Sequence, residues 1–232
     1  MDILAKQTIF AQGARGHLGK KLIKAFNLDE GKTPQHFAIG FKEVWEVDND
    51  KHSPGDVVHS MGWPLKGGTS GGGFLYHFDN NRIAVGLIVD LNYSNPSHSP
   101  FQEFQQFKQH PSIKQYLESG KRVSYGARAI TKGGINSLVK MEFDGGMIVG
   151  CDAGTLNPSK IKGSHCALQS GVLAAEYINK VLSEENCDFD DLFKSSALFK
   201  ELYESRNFSA AMHKFGFYLG ATYNFIESNI FR

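Results

Sequence analysis

Several things are scarce in this sequence, and each scarcity narrows what the chain is. Three cysteines, Cys151, Cys166 and Cys187, are an odd number at irregular spacing, with no CxxC pair. That pattern supports neither a disulfide framework nor a structural zinc site. The nine histidines are scattered without an HExxH, so no metal site is expected from spacing. No run approaches the roughly 18 apolar residues of a membrane-spanning helix. The opening "MDILAKQTIFAQG" carries an acid at position 2 and only a short apolar run, unlike a secretory leader. Neither charge sign dominates: 25 basic against 24 acidic residues give a net charge of +1, too weak a field to draw the chain to nucleic acid. Internal repeats and low-complexity linkers are also missing.

What remains is a 232-residue chain, 41% hydrophobic, with enough apolar material for one large or two small cores. The stretch "KQTIFAQGARGHLGKKLIKAF" (6–26) reads as strand, glycine turn and helix. Ile9 and Phe10 form the strand, and Leu18, Leu22, Ile23 and Phe26 recur at helical spacing. From 36 to 93 the period drops to two, predicting an antiparallel sheet of about four strands with a hairpin turn at Asp79-Asn80-Asn81. Residues 99–120 are helical, with Phe101, Phe104 and Phe107 three apart and a break at Pro111. "KRVSYGARAI" is strand-like, and "GGMIVGCDAG" (145–154) is a short buried strand. A helix then follows with Ala167, Leu168, Val172, Ala175, Ile178, Val181 and Leu182 as its apolar positions. The tail from 189 predicts one or two more helices.

Three glycine loops are candidate binding elements. Residues 13–19, G-A-R-G-H-L-G, lie between strand and helix, where free amides receive anions, yet match neither GxGxxG nor the P-loop pattern. A plain strand-to-helix turn is the alternative. Residues 150–165 repeat the strand–loop–helix order, placing amides near Gly163, Ser164 and His165 at a helix start, which favours negative charge. Asp152 is placed to accept from a sugar or ribityl hydroxyl, and Gly154 lets backbone pass close to a ligand. The alternative is a capped helix with an exposed acid. The run "GGTSGGG" (67–73) marks either close approach of a ligand or a bulged hairpin.

These same stretches carry a family resemblance. "TIFAQGARGHLGKKL" (8–22), "GWPLKGGTSGGGFLYH" (62–77), "SPFQEFQQFKQHPSIKQYLESGKRVSYGARAI" (99–130), "GCDAGTLNPSKIKGSHCALQSGVLAAE" (150–176) and "ELYESRNFSAAMHKFGFYLG" (201–220) resemble electron-transfer-flavoprotein:ubiquinone oxidoreductases, in order and along nearly the whole chain. The resemblance implies electron transfer from reduced electron-transfer flavoprotein to ubiquinone through FAD and a [4Fe–4S] cluster. It also implies peripheral attachment to the cytoplasmic face of a bacterial inner membrane or the matrix face of the mitochondrial one. The implied fold is α+β: a partial FAD-binding domain of the glutathione-reductase/hydroxybenzoate-hydroxylase type, with an antiparallel-sheet quinone-binding domain. On that pattern residues 1–32 and 141–185 are FAD-domain segments, 33–140 the quinone-binding domain and 186–232 a helical extension.

Carried onto this sequence, the resemblance places Gly13, Gly16, Asp152, Gly154, Gly163, Ser164 and His165 at FAD, with Lys160 and Lys162 adding positive potential. Gly71 and Gly72 match a glycine pair lining the quinone head-group pocket. No catalytic acid, base or nucleophile is implied. Phe101, Phe104 and Phe107 are candidates either for lipid contact or for a core. The chain departs from the family at Gln12 and Ala14, where Glu and Cys are usual, and at Ser70, where Tyr is usual. It also lacks the opening GxGxxG unit and the four cysteine ligands of the cluster domain. Two further readings follow: a truncated or split-gene chain that needs a partner supplying the GxGxxG unit, or a related FAD-dependent isoprenoid reductase.

Overall fold

A computed structural model describes residues 2–66 and 68–230, so Gly67 of the glycine run lies outside the described residues, as do the terminal residues 1, 231 and 232. The chain divides into two compact units, one of residues 1–36 with 130–232 and one of residues 37–129. The first joins the segments expected separately as 1–32, 141–185 and 186–232.

The second unit is built on alternation. Strands β2 (Phe37–Glu46), β3 (Val57–Met61), β4 (Gly71–Phe78), β5 (Arg82–Asp90) and β6 (Lys121–Thr131) form one sheet in the order β3-β4-β5-β2-β6. The four expected strands are present, and β6 adds a fifth beside β2. β4 and β5 are joined at Asp79–Asn81, where Asn80 and Asn81 take φ of 62° and 53°. Asparagine tolerates that left-handed region, which fits it to a hairpin turn.

Glycines in β4 and β5 answer to packing. A Cβ on Gly73 would enter the Phe107 ring, and one on Gly86 would meet the Phe74 ring and the Phe41 carbonyl oxygen. Two helices supply the aromatics: α2 (Pro100–Lys108) and α3 (Pro111–Leu117). Ser99 caps α2 by accepting from the Gln102 amide at 3.4 Å, with Pro100 in the first turn. Phe104 and Phe107 are buried against Leu75, Leu87 and Val89, whereas Phe101 is half exposed. The lipid-contact reading therefore fails for Phe104 and Phe107, whose spacing is that of a core stripe, and only Phe101 is left for it.

Charged groups are buried in this unit, Glu43 and Lys108 among them. Glu43, on β2, is 2% exposed. Its carboxylate accepts from Lys108 Nζ at 2.8 Å, Trp45 Nε1 at 2.9 Å and Arg122 Nη1 at 3.0 Å. Burial by itself raises the Glu43 pKa, but these donors outweigh it and hold the carboxyl below its ordinary value.

The first unit contains a small sheet of β1 (Thr8–Phe10), β7 (Glu142–Phe143) and β8 (Gly146–Ile148), with β8 central, parallel to β1 and antiparallel to β7. Around it lie α1 (His17–Ala25), α4 (Ser164–Leu182), α5 (Phe189–Lys194), α6 (Ala197–Glu204) and α7 (Phe208–Ile230), the last broken at Gly216. Met147, Ile148, Leu198 and Leu202 are nearly inaccessible at its core.

α4 packs on a face the apolar pattern indicated only in part: Ile178 packs against the core as expected. Its buried residues are Cys166, Ser170 and Ala174, four apart, while Leu168 and Val172 are 72% and 66% exposed. Small residues win the inward face because the helix lies close to the turn after β8. Ser170 Oγ accepts from the Gly150 amide at 2.9 Å, and a Cβ on Gly150 would lie 3.4 Å from Ala167 Cβ. Among the described residues no helix is long and apolar enough to cross a membrane.

Candidate functional site

The loop that follows β8 is a sequence of tight turns. At Gly150 the chain takes φ of 65°, and the amides of Ala153, Gly154 and Thr155 all converge on the Gly150 carbonyl at 3.0–3.2 Å. Gly154 takes φ of 99° beside the Gln35 side chain. Both positions favour glycine for its freedom at positive φ. Asn157 then folds the next turn around itself: its Oδ1 accepts from the amides of Ser159 and Lys160, and its backbone amide bonds the Lys162 carbonyl at 3.1 Å.

Asp152 is brought to the 12–19 loop, 140 residues away in sequence. It is buried, and its Oδ2 accepts from the Gln12 amide at 3.3 Å. Gly16 and Gly19 press against this carboxylate so closely that neither has room for a Cβ. Burial raises the Asp152 pKa, and the amides of Gln12 and Gly16 only partly offset it.

The start of α1 is also occupied. Gln12 Oε1 accepts from the amides of Leu18 at 2.8 Å and Gly19 at 3.3 Å. The residue standing where the family has Glu thus caps the helix, taking donors that an anion would need. The 13–16 loop and Asp152 form one interlocked unit, with Gly13 at its open bend, where a Cβ would meet nothing.

The start of α4 differs. Gly163 is its N-cap, and no side chain caps it. Ser164 and His165 follow as the first helical residues, so their amides head a 19-residue helix whose positive end favours negative charge. Of the two lysines expected to add potential here, Lys160 turns to α6. Glu201 Oε1 accepts from His165 Nε2 at 2.8 Å, Asn157 Nδ2 at 2.8 Å and Lys160 Nζ at 3.1 Å. Burial raises Glu201, and these donors, His165 foremost, more than reverse it, so its carboxyl lies below its ordinary value.

Sequence reading missed Glu201. It stands 36 residues from His165, within a helix whose apolar positions alone drew notice, and no local pattern ties the two. Cys166, beside His165, is fully buried, and its thiol is pushed up to about 11, chiefly by burial and then by the Glu201 charge.

Gly71 and Gly72 lie in the other unit, between β3 and β5. A Cβ on Gly71 would strike the Ile88 carbonyl, and one on Gly72 would lie 2.6 Å from the Ser60 oxygen. The sheet itself therefore requires glycine at both. The same unit leaves Val57, Met61, Trp63 and Phe101 between 47% and 61% exposed.

A family model described as "ETF-QO, ubiquinone-binding" matches residues 37–130, nearly coincident with the second unit. The whole chain is 57% identical over 237 residues to the electron transfer flavoprotein-ubiquinone oxidoreductase of Pseudomonas aeruginosa, covering 43% of that protein. It is 46% identical over 236 residues to the human mitochondrial protein of the same name, with 96% of this chain and 38% of the relative covered. The chain thus spans about two-fifths of the length of the curated relatives it matches. Among solved structures, a geranylgeranyl bacteriochlorophyll reductase-like protein from Thermoplasma acidophilum superposes with a TM-score of 0.68 at 17% identity, over 97% of this chain and 55% of that one. A flavin-dependent brominase superposes with a TM-score of 0.58 at 14% identity, over 97% and 55%. These likenesses show that the chain shares its α+β fold with those two proteins.

Proposed function

We propose, from the premise that this chain belongs to the electron transfer flavoprotein–ubiquinone oxidoreductase family, that it supplies the quinone-binding sheet and one wall of a flavin site for electron transfer from reduced electron-transfer flavoprotein to ubiquinone. The observation that carries the flavin part is the uncapped start of α4. A helix of 19 residues whose start no side chain caps, after a glycine-built turn, suits the negative edge of a flavin ring. FAD bound there would supply the redox centre that accepts electrons and passes them on.

The chain's own residues bind and orient. The amides of Ser164 and His165 favour negative charge at the ring, and Gly150 and Gly154 permit the approach. Asp152 holds the 12–16 loop through the Gln12 amide. Lys160 belongs to the site as a partner of Glu201, so its charge is already balanced. Gly71 and Gly72 would present backbone to the quinone head group. The exposed Val57, Met61, Trp63 and Phe101 suit peripheral membrane contact, since apolar side chains bind lipid interfaces in proportion to the area they bury. An iron–sulfur cluster does not fit this chain: it takes four thiolates, and three cysteines are present.

Gly163→Asp tests the flavin reading. An aspartate N-cap satisfies α4's first amides and puts negative charge where the flavin edge would lie. Gly163 has φ of –125°, which any residue adopts, and only the flexible Leu156 side chain lies near a new Cβ, at 3.2 Å. Thermal stability should hold or rise, while FAD affinity, read from bound-flavin absorbance after desalting, falls about tenfold or more, 1.4 kcal/mol. Unchanged FAD affinity in Gly163→Asp would overturn the assignment.

A second reading rests on Leu168 and Val172, large apolar residues facing solvent on α4. In it the chain acts only once further polypeptide covers that face. A purified chain that stays colourless with added FAD, and turns yellow only with the preceding segment of the Pseudomonas relative, would favour it.

A further inference from the structure

We propose that His165, Cys166 and Glu201 bind a single divalent transition-metal ion of the zinc class, bridging the start of α4 to α6. Their donor atoms already converge. His165 Nε2 lies 2.8 Å from Glu201 Oε1 and 3.3 Å from Cys166 Sγ, and Sγ lies 4.0 Å from Oε1. The three form the one metal-capable group of this kind among the described residues.

A tetrahedral ion with the usual Zn–N, Zn–O and Zn–S lengths sets its ligands about 3.3 Å apart for N and O, and about 3.6 Å apart for S with either. Each separation here is within roughly 0.7 Å of that target. Imidazole, thiolate and carboxylate together suit zinc or cobalt and not a hard ion such as magnesium or calcium.

The surroundings support the set. Glu201 is held by α6, whose neighbours Leu198 and Leu202 are almost wholly buried, and His165 and Cys166 are consecutive on α4. Asn157 Nδ2 donates to Glu201 Oε1 at 2.8 Å and orients the carboxylate. The His165 side chain is 40% exposed, which leaves a route in and a fourth position for water.

One group competes. Lys160 Nζ sits 3.1 Å from Glu201 Oε1, but its side chain is 57% exposed and can swing into water. On binding, the Cys166 S–H bond gives way to a sulfur–metal bond and its proton leaves to solvent. The His165 proton moves from Nε2 to Nδ1, and thiolate, carboxylate and dication leave the site neutral. The metal uses the His165 ring and the flavin reading uses its amide, so neither proposal depends on the other.

The probe is Co2+ added to the purified chain. One equivalent should bind and give tetrahedral visible bands with a near-ultraviolet sulfur-to-cobalt charge-transfer band, both bleached by Zn2+. Cys166→Ser should abolish the charge-transfer band, while Cys151→Ser and Cys187→Ser keep it. Should Cys166→Ser fail to fold, two further variants decide. Glu201→Gln should weaken Co2+ binding at least tenfold, and Lys160→Gln, which removes the competing ammonium from an exposed position, should tighten it several-fold. No charge-transfer band with millimolar Co2+, or a band that follows Cys187, overturns the site and leaves Glu201 as a hydrogen-bond acceptor only.

Discussion

Replacing Glu43 by alanine should cost about 3–5 kcal/mol of stability, the range for breaking a buried ion pair by removing one member. The Glu43 side chain is 3% exposed and that of Lys108 is 10% exposed. Without the carboxylate, Lys108 is left with no counter-charge in a pocket between Trp45 and Phe104, with Nζ 5.6 and 4.9 Å from their ring centroids. Those rings recover only part of the loss. Trp45 Nε1 loses its acceptor as well, whereas Arg122, with a side chain 47% exposed, simply rehydrates. Urea unfolding measures the cost directly. Both tryptophans, Trp45 and Trp63, belong to the sheet unit, so their fluorescence reports its unfolding and not that of the other unit.

Two controls sharpen the prediction. Glu43→Leu combined with Lys108→Met removes both charges and should be clearly more stable than Glu43→Ala. The pH dependence has a definite sign. The folded-state pKa of Glu43 is depressed, so its contribution is full above the unfolded carboxyl value of about 4.3 and fades as pH falls through the folded value. The gap between the parent chain and Glu43→Gln should therefore be open at neutral pH and close in acid. A Glu43→Ala cost below about 1 kcal/mol, as for an exposed pair, would refute the reasoning.

Two other outcomes follow from packing. Gly86→Ala forces a methyl into the Phe74 ring and to 2.6 Å from the Phe41 carbonyl, a backbone atom that cannot step aside. It should lower sheet-unit stability by about 1–3 kcal/mol, and a neutral result in urea unfolding would show that the strands separate freely. Cys166, inaccessible and with its thiol raised to about 11, should resist alkylation in the native chain and react on denaturation. Rapid native labelling at Cys166, read by peptide mass, would contradict its burial.

Much of the backbone plan was written locally. The Asn80-Asn81 hairpin, the Pro111 break between α2 and α3, the alternating strands and the strand–turn–helix order around Gly150 depend on residues within a few positions of one another. Steric and hydrogen-bonding preferences of neighbours suffice to fix them. The stretches that carry the family resemblance were equally present in the chain itself.

Tertiary structure alone decided what lies opposite what. Leu168 and Val172 have the hydrophobicity of a core face, yet α4 turns Cys166, Ser170 and Ala174 inward because only small side chains fit against the turn at Gly150. Gln12 became a cap for α1, Asp152 a clasp on that same loop, and Glu201 the acceptor that gathers Asn157, Lys160 and His165. Glu43 found Lys108 and Arg122 by the stacking of α2 and β6 on β2. The Gln12 cap is local, but the contacts of Asp152, Glu201 and Glu43 with these partners are meetings of charges or donors separated by dozens of residues, and a one-dimensional pattern carries no distance between them until the chain has closed on itself.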